Sequence, residues 1–266
     1  MSAKPAVLIT GASTGIGAAY ADRFARRGHD LVLVARSQDQ LDALAARLRA
    51  EAGVAVDVLA ADLADPSGLA RVEQRLRDDA GIDVLVNNAG ASLAGGFLDQ
   101  SADDVGRLIA LNVTALARLA NAAAGRFARA GQGAIVNIGS VVGLTPEFAM
   151  AVYGGTKAFV LHFSQALAAE VGPKGVYVQA VLPAATRTDI WKKSGKDPDA
   201  IPGLMEVDDL VDAALAGFDA REGVSIPPLH DEGQWKAFEA ARRAMIPGFS
   251  QAQPAPRYRA AGLAPA

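Results

Sequence analysis

Seven short, β-branched apolar runs recur along the chain, separated by longer amphipathic stretches, and this alternation restricts the fold more than any single motif. The runs fall at residues 7–10, 31–35, 56–60, 84–86, 134–139, 177–182 and 224–226. They are continuously apolar rather than alternating in polarity, the pattern of parallel strands covered on both faces. Helical periodicity fills the gaps, at residues 17–27, 39–51, 66–79, 103–129, 152–171, 207–218 and 233–245. Gly28 stands where a helix C′ residue is expected, and Asp65 followed by Pro66 gives an N-cap with proline at N1. Strict strand–helix alternation implies right-handed crossovers. The expected fold is therefore α/β, a doubly wound (Rossmann) seven-stranded parallel sheet in one domain over residues 1–249. Two segments break the rhythm. Residues 184–206 form a long connection after the sixth run, which predicts a substrate lid. Residues 250–266 are rich in Ala and Pro and predict a tail that lies outside the core or wraps a neighbouring subunit.

The balance of 26 Lys and Arg against 29 Asp and Glu gives a net charge of −3. No basic field is present for nucleic acid, and no nucleic-acid partner is expected. There is no cysteine, so thiolate nucleophiles, disulfides and thiolate metal sites are excluded. His29, His162 and His230 are far apart and lack ligand spacing, and no metal site is expected. The apolar run at residues 6–9 is too short for a secretory segment. No uninterrupted apolar stretch approaches the roughly 20 residues that cross a bilayer. The expectation is a cytoplasmic protein with no membrane partner.

In an open α/β sheet, ligands bind at the carboxyl ends of the strands. The first run is followed by Thr10-Gly11-Ala12-Ser13-Thr14-Gly15-Ile16-Gly17, a glycine-rich turn entering a helix. Its glycines admit a pyrophosphate close to the backbone, while the helix offers free N–H groups and the positive end of its dipole. No Gly-Lys-Ser/Thr follows, which excludes a phosphate-hydrolysing P-loop. The second run ends at Ala35-Arg36-Ser37. An acidic residue there would accept the adenosine ribose hydroxyls of NAD, whereas the Arg36 guanidinium pairs with a 2′-phosphate. Ser13 and Ser37 add hydroxyl donors, and NADP(H) is favoured over NAD(H). Asp62, followed by Leu63, is placed to accept from an adenine amino group, or else belongs to the turn leading to Asp65. Asn88, Ala89 and Gly90 give a small-residue strip for a ribose to lie along.

Tyr153 and Lys157 are four residues apart on a predicted helix, so their side chains lie about 40° apart on one face. A free phenol, with a pKa of about 10, is a poor base near neutrality. An adjacent ammonium and a cationic nicotinamide stabilise the phenolate and make the group a workable acid and base. Ser140, 13 residues upstream at a strand's carboxyl end, is placed to hold a substrate oxygen beside the phenol. Asn112, within the 103–129 helix, is placed to recruit a water toward Lys157.

These pieces, in this order, resemble the short-chain dehydrogenase/reductase family over residues 7–226. They are T-G-x-x-x-G-I-G (Thr10–Gly17), Asp62-Leu63, N-N-A-G (Asn87–Gly90), Asn112, Ser140 and Y-x-x-x-K (Tyr153, Lys157). The resemblance implies that Tyr153 is the general acid/base and that Lys157 binds the nicotinamide ribose and lowers the phenol pKa. It further implies that Ser140 orients the carbonyl and Asn112 maintains a relay water. Family members are commonly homodimers or homotetramers, paired through the helices that carry Asn112 and Tyr153. The family usually has Pro-Gly after the sixth strand; here Pro183-Ala184 stands there, followed by Thr186 and Thr188 in the stretch that contacts the carboxamide and phosphates.

Leu93, Phe97, Val142, Leu144, Phe148, Met150, Ile190 and Trp191 make the segments around this edge apolar. The expected function is NADP(H)-dependent hydride transfer between the nicotinamide and a hydrophobic ketone, aldehyde or secondary alcohol. The alternatives are a redox-sensing module that holds NADP(H) without turnover, or a methyltransferase on a similar sheet.

Overall fold

The computed structural model describes residues 5–188 and 201–259. Seven parallel strands run in the order β3-β2-β1-β4-β5-β6-β7. They are β1 (Ala6–Thr10), β2 (Asp30–Ala35), β3 (Val56–Ala60), β4 (Ile82–Asn87), β5 (Ala134–Ile138), β6 (Tyr177–Val181) and β7 (Val224–Ser225). The order runs outward in both directions from β1, which places the switch point between β1 and β4. Register across that seam pairs Val7 with Val84 and Ile9 with Val86.

The described helices are α1 (Gly15–Arg26), α2 (Gln38–Ala52), α3 (Pro66–Asp78), α4 (Ala102–Ile109), α5 (Leu116–Ala130), α6 (Ala151–Val171), α7 (Val207–Asp219) and α8 (Glu232–Ala244). Local chemistry explains several of their ends. The Asp65 carboxylate accepts from Ser67 N–H and Gly68 N–H, capping α3 as its sequence predicts. Beyond α1, Gly28 takes φ +85° and its N–H reaches the Ala25 carbonyl at 2.9 Å, with His29 N–H bonded to Phe24.

The expected single helix over 103–129 is instead three pieces. Between α4 and α5 the backbone widens into a π-helical stretch, Ala110–Ala115, with Asn112 inside it. By length and composition the whole run Ala102–Ala130 is apolar enough to cross a membrane, contrary to the sequence expectation, but half of its most apolar window is buried within the fold.

Two apolar clusters cover the two faces of the sheet. One gathers Val7, Ile9, Leu31, Leu33, Val84, Val86 and Val136 with residues of α1, α2 and α7. The other gathers Leu8, Val32, Leu85, Ile135 and Val178 with residues of α3 and α5. Adjacent strand residues thus alternate between two cores, which is why the runs read as continuously apolar.

The chain divides into two compact units, at Pro228 and Leu229. The first holds the whole sheet. The second holds α8, where Asp231 caps Gly233 N–H at 2.8 Å and Trp235 stacks on Phe238 at 5.5 Å. It also contains a short 3₁₀ turn at Pro256–Tyr258, within the predicted tail. Of the predicted lid, residues 189–200 lie outside the described residues, as do Ile190 and Trp191. Its two ends are joined: Thr186 bridges Met205, and Arg187 N–H donates to the Met205 carbonyl at 2.9 Å.

Candidate active site

The carboxyl edge of β1 sets the first part of the site. Gly11 and Gly15 adopt positive φ (+64° and +57°), and a Cβ on Gly17 would lie 2.3 Å from the Gly11 carbonyl oxygen. Only glycines close this turn. Thr14 stands at the N-cap of α1 without a side-chain capping bond. Ser13 is half-buried, Ile16 packs against the first core, and the Thr188 methyl sits 3.4 Å from where a Gly15 Cβ would be. The loop after β6 thus reaches the glycine turn, as its sequence position predicts.

Thr10, to which the sequence reading gave no role, ties this turn to β4. Its hydroxyl accepts from Asn88 N–H and Ala89 N–H, both at 3.0 Å. The Asn88 amide in turn donates to the carbonyls of Thr10 at 2.9 Å and Gly11 at 3.2 Å. Asn88 is therefore a brace for the glycine turn, and it is the Ala89–Gly90 backbone that lies open beside it.

Arg36 is exposed and has no hydrogen bond or ion pair among the described residues, and Ser37 caps α2 only through its position. Asp62 is more committed than its sequence suggests. One carboxylate oxygen accepts from Ala64 N–H at 2.9 Å, and the other pairs with Arg107 at 2.7 Å. It thus forms the turn toward α3 and anchors α4, while the Leu63 side chain is buried in the second core.

The reactive side chains meet at the ends of β5 and α6. Lys157 is buried on α6, and its ammonium donates to the Ile138 carbonyl at the end of β5 at 2.9 Å. Its Nζ lies 5.7 Å from the centroid of the Tyr153 ring, so the two side chains do share one side of their helix. Burial pulls the lysine pKa from 10.5 down to about 8.

The Ser140 hydroxyl accepts from Val142 N–H at 3.2 Å and donates to the Pro183 carbonyl at 3.4 Å, with the Tyr153 phenol near it. Burial pushes that phenol above its ordinary range, with Ser140 opposing the rise.

The loop that carries Ser140 is pressed onto α6. A Cβ on Gly143 would lie 2.7 Å from Ala158 N, so only glycine permits this approach. Immediately before α6, Ala149 holds φ +53°, a left-handed conformation that costs an alanine roughly 1 kcal/mol. Around this edge Phe97, Leu98, Phe148 and Met150 are exposed. Ala184 is not among the residues with positive φ, so alanine meets no backbone penalty where the resembling family has glycine.

Asn112 does not point its amide at Lys157. The amide donates to the Ala91 carbonyl at 2.9 Å and to Thr156 Oγ1 at 3.1 Å, and its oxygen accepts from Ala91 N–H at 3.0 Å. The polar atoms of its side chain are occupied in holding the loop after β4. A second buried polar chain fastens the strands below the site, from Asn87 to Asn137 at 3.0 Å and on to Ser164 at 2.9 Å. Asn137 and Ser164 gave no sequence signal, because each belongs to a segment that reads as apolar core.

The residues present fit a dinucleotide. Open glycine backbone at a helix N-terminus, an arginine directly after β2 with no partner among the described residues, and a buried lysine at the far end offer phosphate, 2′-phosphate and ribose contacts in sequence.

A family model described as short chain dehydrogenase matches residues 5–199. The very-long-chain 3-oxoacyl-CoA reductase of Podospora anserina is 35% identical over 222 residues, covering 81% of this chain and 64% of that protein. The Danio rerio very-long-chain 3-oxoacyl-CoA reductase-B is 33% identical, covering 70% of this chain and 60% of its own length. The chain thus spans less than two thirds of the length of these curated relatives.

Among solved structures, a short-chain dehydrogenase from Sphingobium yanoikuyae in complex with NADPH is 63% identical, with a TM-score of 0.94, over 96% of this chain and all of that one. The bulky-bulky ketone specific alcohol dehydrogenase from Comamonas testosteroni is 54% identical, with a TM-score of 0.91, over 97% of this chain and 99% of that one. On this match and this fold, the chain belongs to the short-chain dehydrogenase family.

Proposed function

We propose that this protein is an NADP(H)-dependent carbonyl reductase or alcohol dehydrogenase whose substrate is a hydrophobic ketone, aldehyde or secondary alcohol. The observation that carries the reading is the cluster of Ser140, Tyr153 and Lys157 at the carboxyl edge of the sheet, beside an open glycine turn. When bound, NADP(H) supplies or takes up the hydride. Arg36, with Ser13 and Ser37, would hold the 2′-phosphate, and the α1 N-terminus over Thr14–Gly17 would face the pyrophosphate. Pro183, Thr186 and Thr188 would line the nicotinamide side, with Ala89, Gly90 and Lys157 along the ribose.

In reduction Ser140 holds the carbonyl oxygen and Tyr153 delivers its proton to it; in oxidation Tyr153 takes the proton from the hydroxyl. Burial keeps the phenol in its protonated form, and an alkoxide is a stronger base than a phenolate, so the proton passes downhill. Lys157, held on the Ile138 carbonyl, stands as a cation beside the phenolate left behind.

The exposed side chains of Phe97, Leu98, Phe148 and Met150 support an apolar substrate, and two similar proteins carry names that denote reduction or turnover of oxo compounds. We propose further that the protein assembles as a homodimer or homotetramer through α6. There Gly155, Ala158, His162, Ala166 and Ala169 form one exposed stripe of mostly small residues opposite buried Lys157 and Val160.

Tyr153→Phe tests the chemistry. NADPH binding, followed by fluorescence, should persist while turnover of a panel of aromatic and long-chain ketones falls by about 10²–10⁴-fold. Unchanged turnover in the variant would sink the assignment.

A further inference from the structure

Thr156 sits between the two residues assigned to proton transfer and the lysine beside them, yet nothing so far gives it a task. It is buried (4% exposed). Its hydroxyl donates to the Tyr153 carbonyl at 2.7 Å and accepts from Asn112 Nδ2 at 3.1 Å. An alcohol has one hydrogen to give. With that hydrogen committed to the Tyr153 carbonyl, the Thr156 oxygen can only accept from Asn112, which decides which end of the amide faces it.

The other two bonds of the amide then follow. Its second N–H meets the Ala91 carbonyl, and its oxygen meets Ala91 N–H. Reversing the amide would set donor against donor and acceptor against acceptor at Ala91. This clamp also fixes the adjoining glycine, since a Cβ on Gly90 would lie 3.3 Å from Asn112 Oδ1 and 3.6 Å from Lys157 Nζ.

We infer that Thr156 is a positioning residue: by orienting the Asn112 amide it sets the Ala89–Ala91 backbone against Lys157, and so shapes the ribose end of the cofactor cleft. The inference rests on the NADP(H) site proposed above. The lever is nonlocal. Asn112 lies in the π-helical stretch, Ala91 after β4 and Thr156 on α6, so the Asn112 amide joins three segments and the Thr156 hydroxyl holds its α6 end.

The test uses the full chain with NADPH as the probe. Thr156→Val keeps the shape and removes the hydroxyl, and Thr156→Ala removes it without the branch. Both should weaken NADPH binding about tenfold in a fluorescence titration, the effect of one buried donor left without its partner. The KM for NADPH should rise more than kcat falls. Thr156→Ser restores the hydroxyl and should bind as the unaltered protein does.

A Thr156→Val or Thr156→Ala variant that melts at a lower temperature but binds NADPH normally overturns the inference, because hydroxyl loss has then cost only stability. So does a Thr156→Ser variant as weak as Thr156→Val. Failure of the unaltered protein to bind NADPH would instead remove the cofactor site and this inference together. Tyr153→Phe, expected to bind NADPH fully, reports on the chemistry separately from either.

Discussion

At the scale of the residue, the lysine on α6 carries the clearest thermodynamic consequence. Below about pH 8 the folded and unfolded chains both hold its proton, and the burial penalty of the charge is present in full. Between about 8 and the ordinary value of 10.5 the folded chain has released the proton and the unfolded chain has not. Stability relative to Lys157→Met should therefore rise with pH through that window, by at most about 1.4 kcal/mol per pH unit. Urea unfolding midpoints of the two proteins from about pH 7.5 to about pH 9.5, below the range where phenols titrate, check this. A flat or falling difference would mean that the ammonium is not desolvated. The range stops there because burial raises the phenols of Tyr20, Tyr153 and Tyr177, which work in the opposite direction above pH 10. Tyr153 and Lys157 were legible because a four-residue spacing is a local geometric statement. The partner of Asp62 was not, because Arg107 is 45 positions away and only the fold brings it near.

At the scale of the element, the helix that leads from Ala102 to Ala130 shows where local reading ends. The start of α3 is written in consecutive residues, Asp65 then Pro66, and it forms where they stand. The widening at Ala110–Ala115 is not written locally: Ala, Leu, Asn, Val and Thr there read as ordinary helix, and the stretch coincides with the Asn112 amide bonded to Ala91 and Thr156. Deleting Ala110 should close this stretch into a regular helix and turn Asn112 by about 100° relative to α4. The variant should keep its helical circular dichroism and lose NADPH binding and turnover together. Retained binding would show that the wide turn has no part in the site. Strand ends proved harder to read than helix starts. The last strand spans only Val224–Ser225, because its pairing with β6 ends there and no residue in the sequence marks that limit.

At the scale of the whole molecule, alternation with right-handed crossovers narrows seven parallel strands to a few orders, of which the fold takes β3-β2-β1-β4-β5-β6-β7. What alternation could not show is which helical surface remains uncovered. On α6 it is a stripe of small side chains, and Gly155 has no heavy atom within 4 Å of where its Cβ would stand. A mid-helix glycine with free space around it costs about 1 kcal/mol against alanine with no return inside one chain. Close approach by a second copy would supply that return. Ala158→Arg places a charge and bulk in the middle of the stripe and should shift the protein toward monomer in analytical ultracentrifugation, with the sheet intact. An unchanged sedimentation coefficient, or a native protein that is monomeric to begin with, would exclude this face.

The bond from Lys157 to Ile138 has one more implication. Its acceptor is a main-chain oxygen, which every amino acid supplies alike, so no single replacement at position 138 can take it away. Substitution can therefore abolish this anchor directly only at the amine itself, while the ammonium can be retuned, with the bond kept, through the side chains around it.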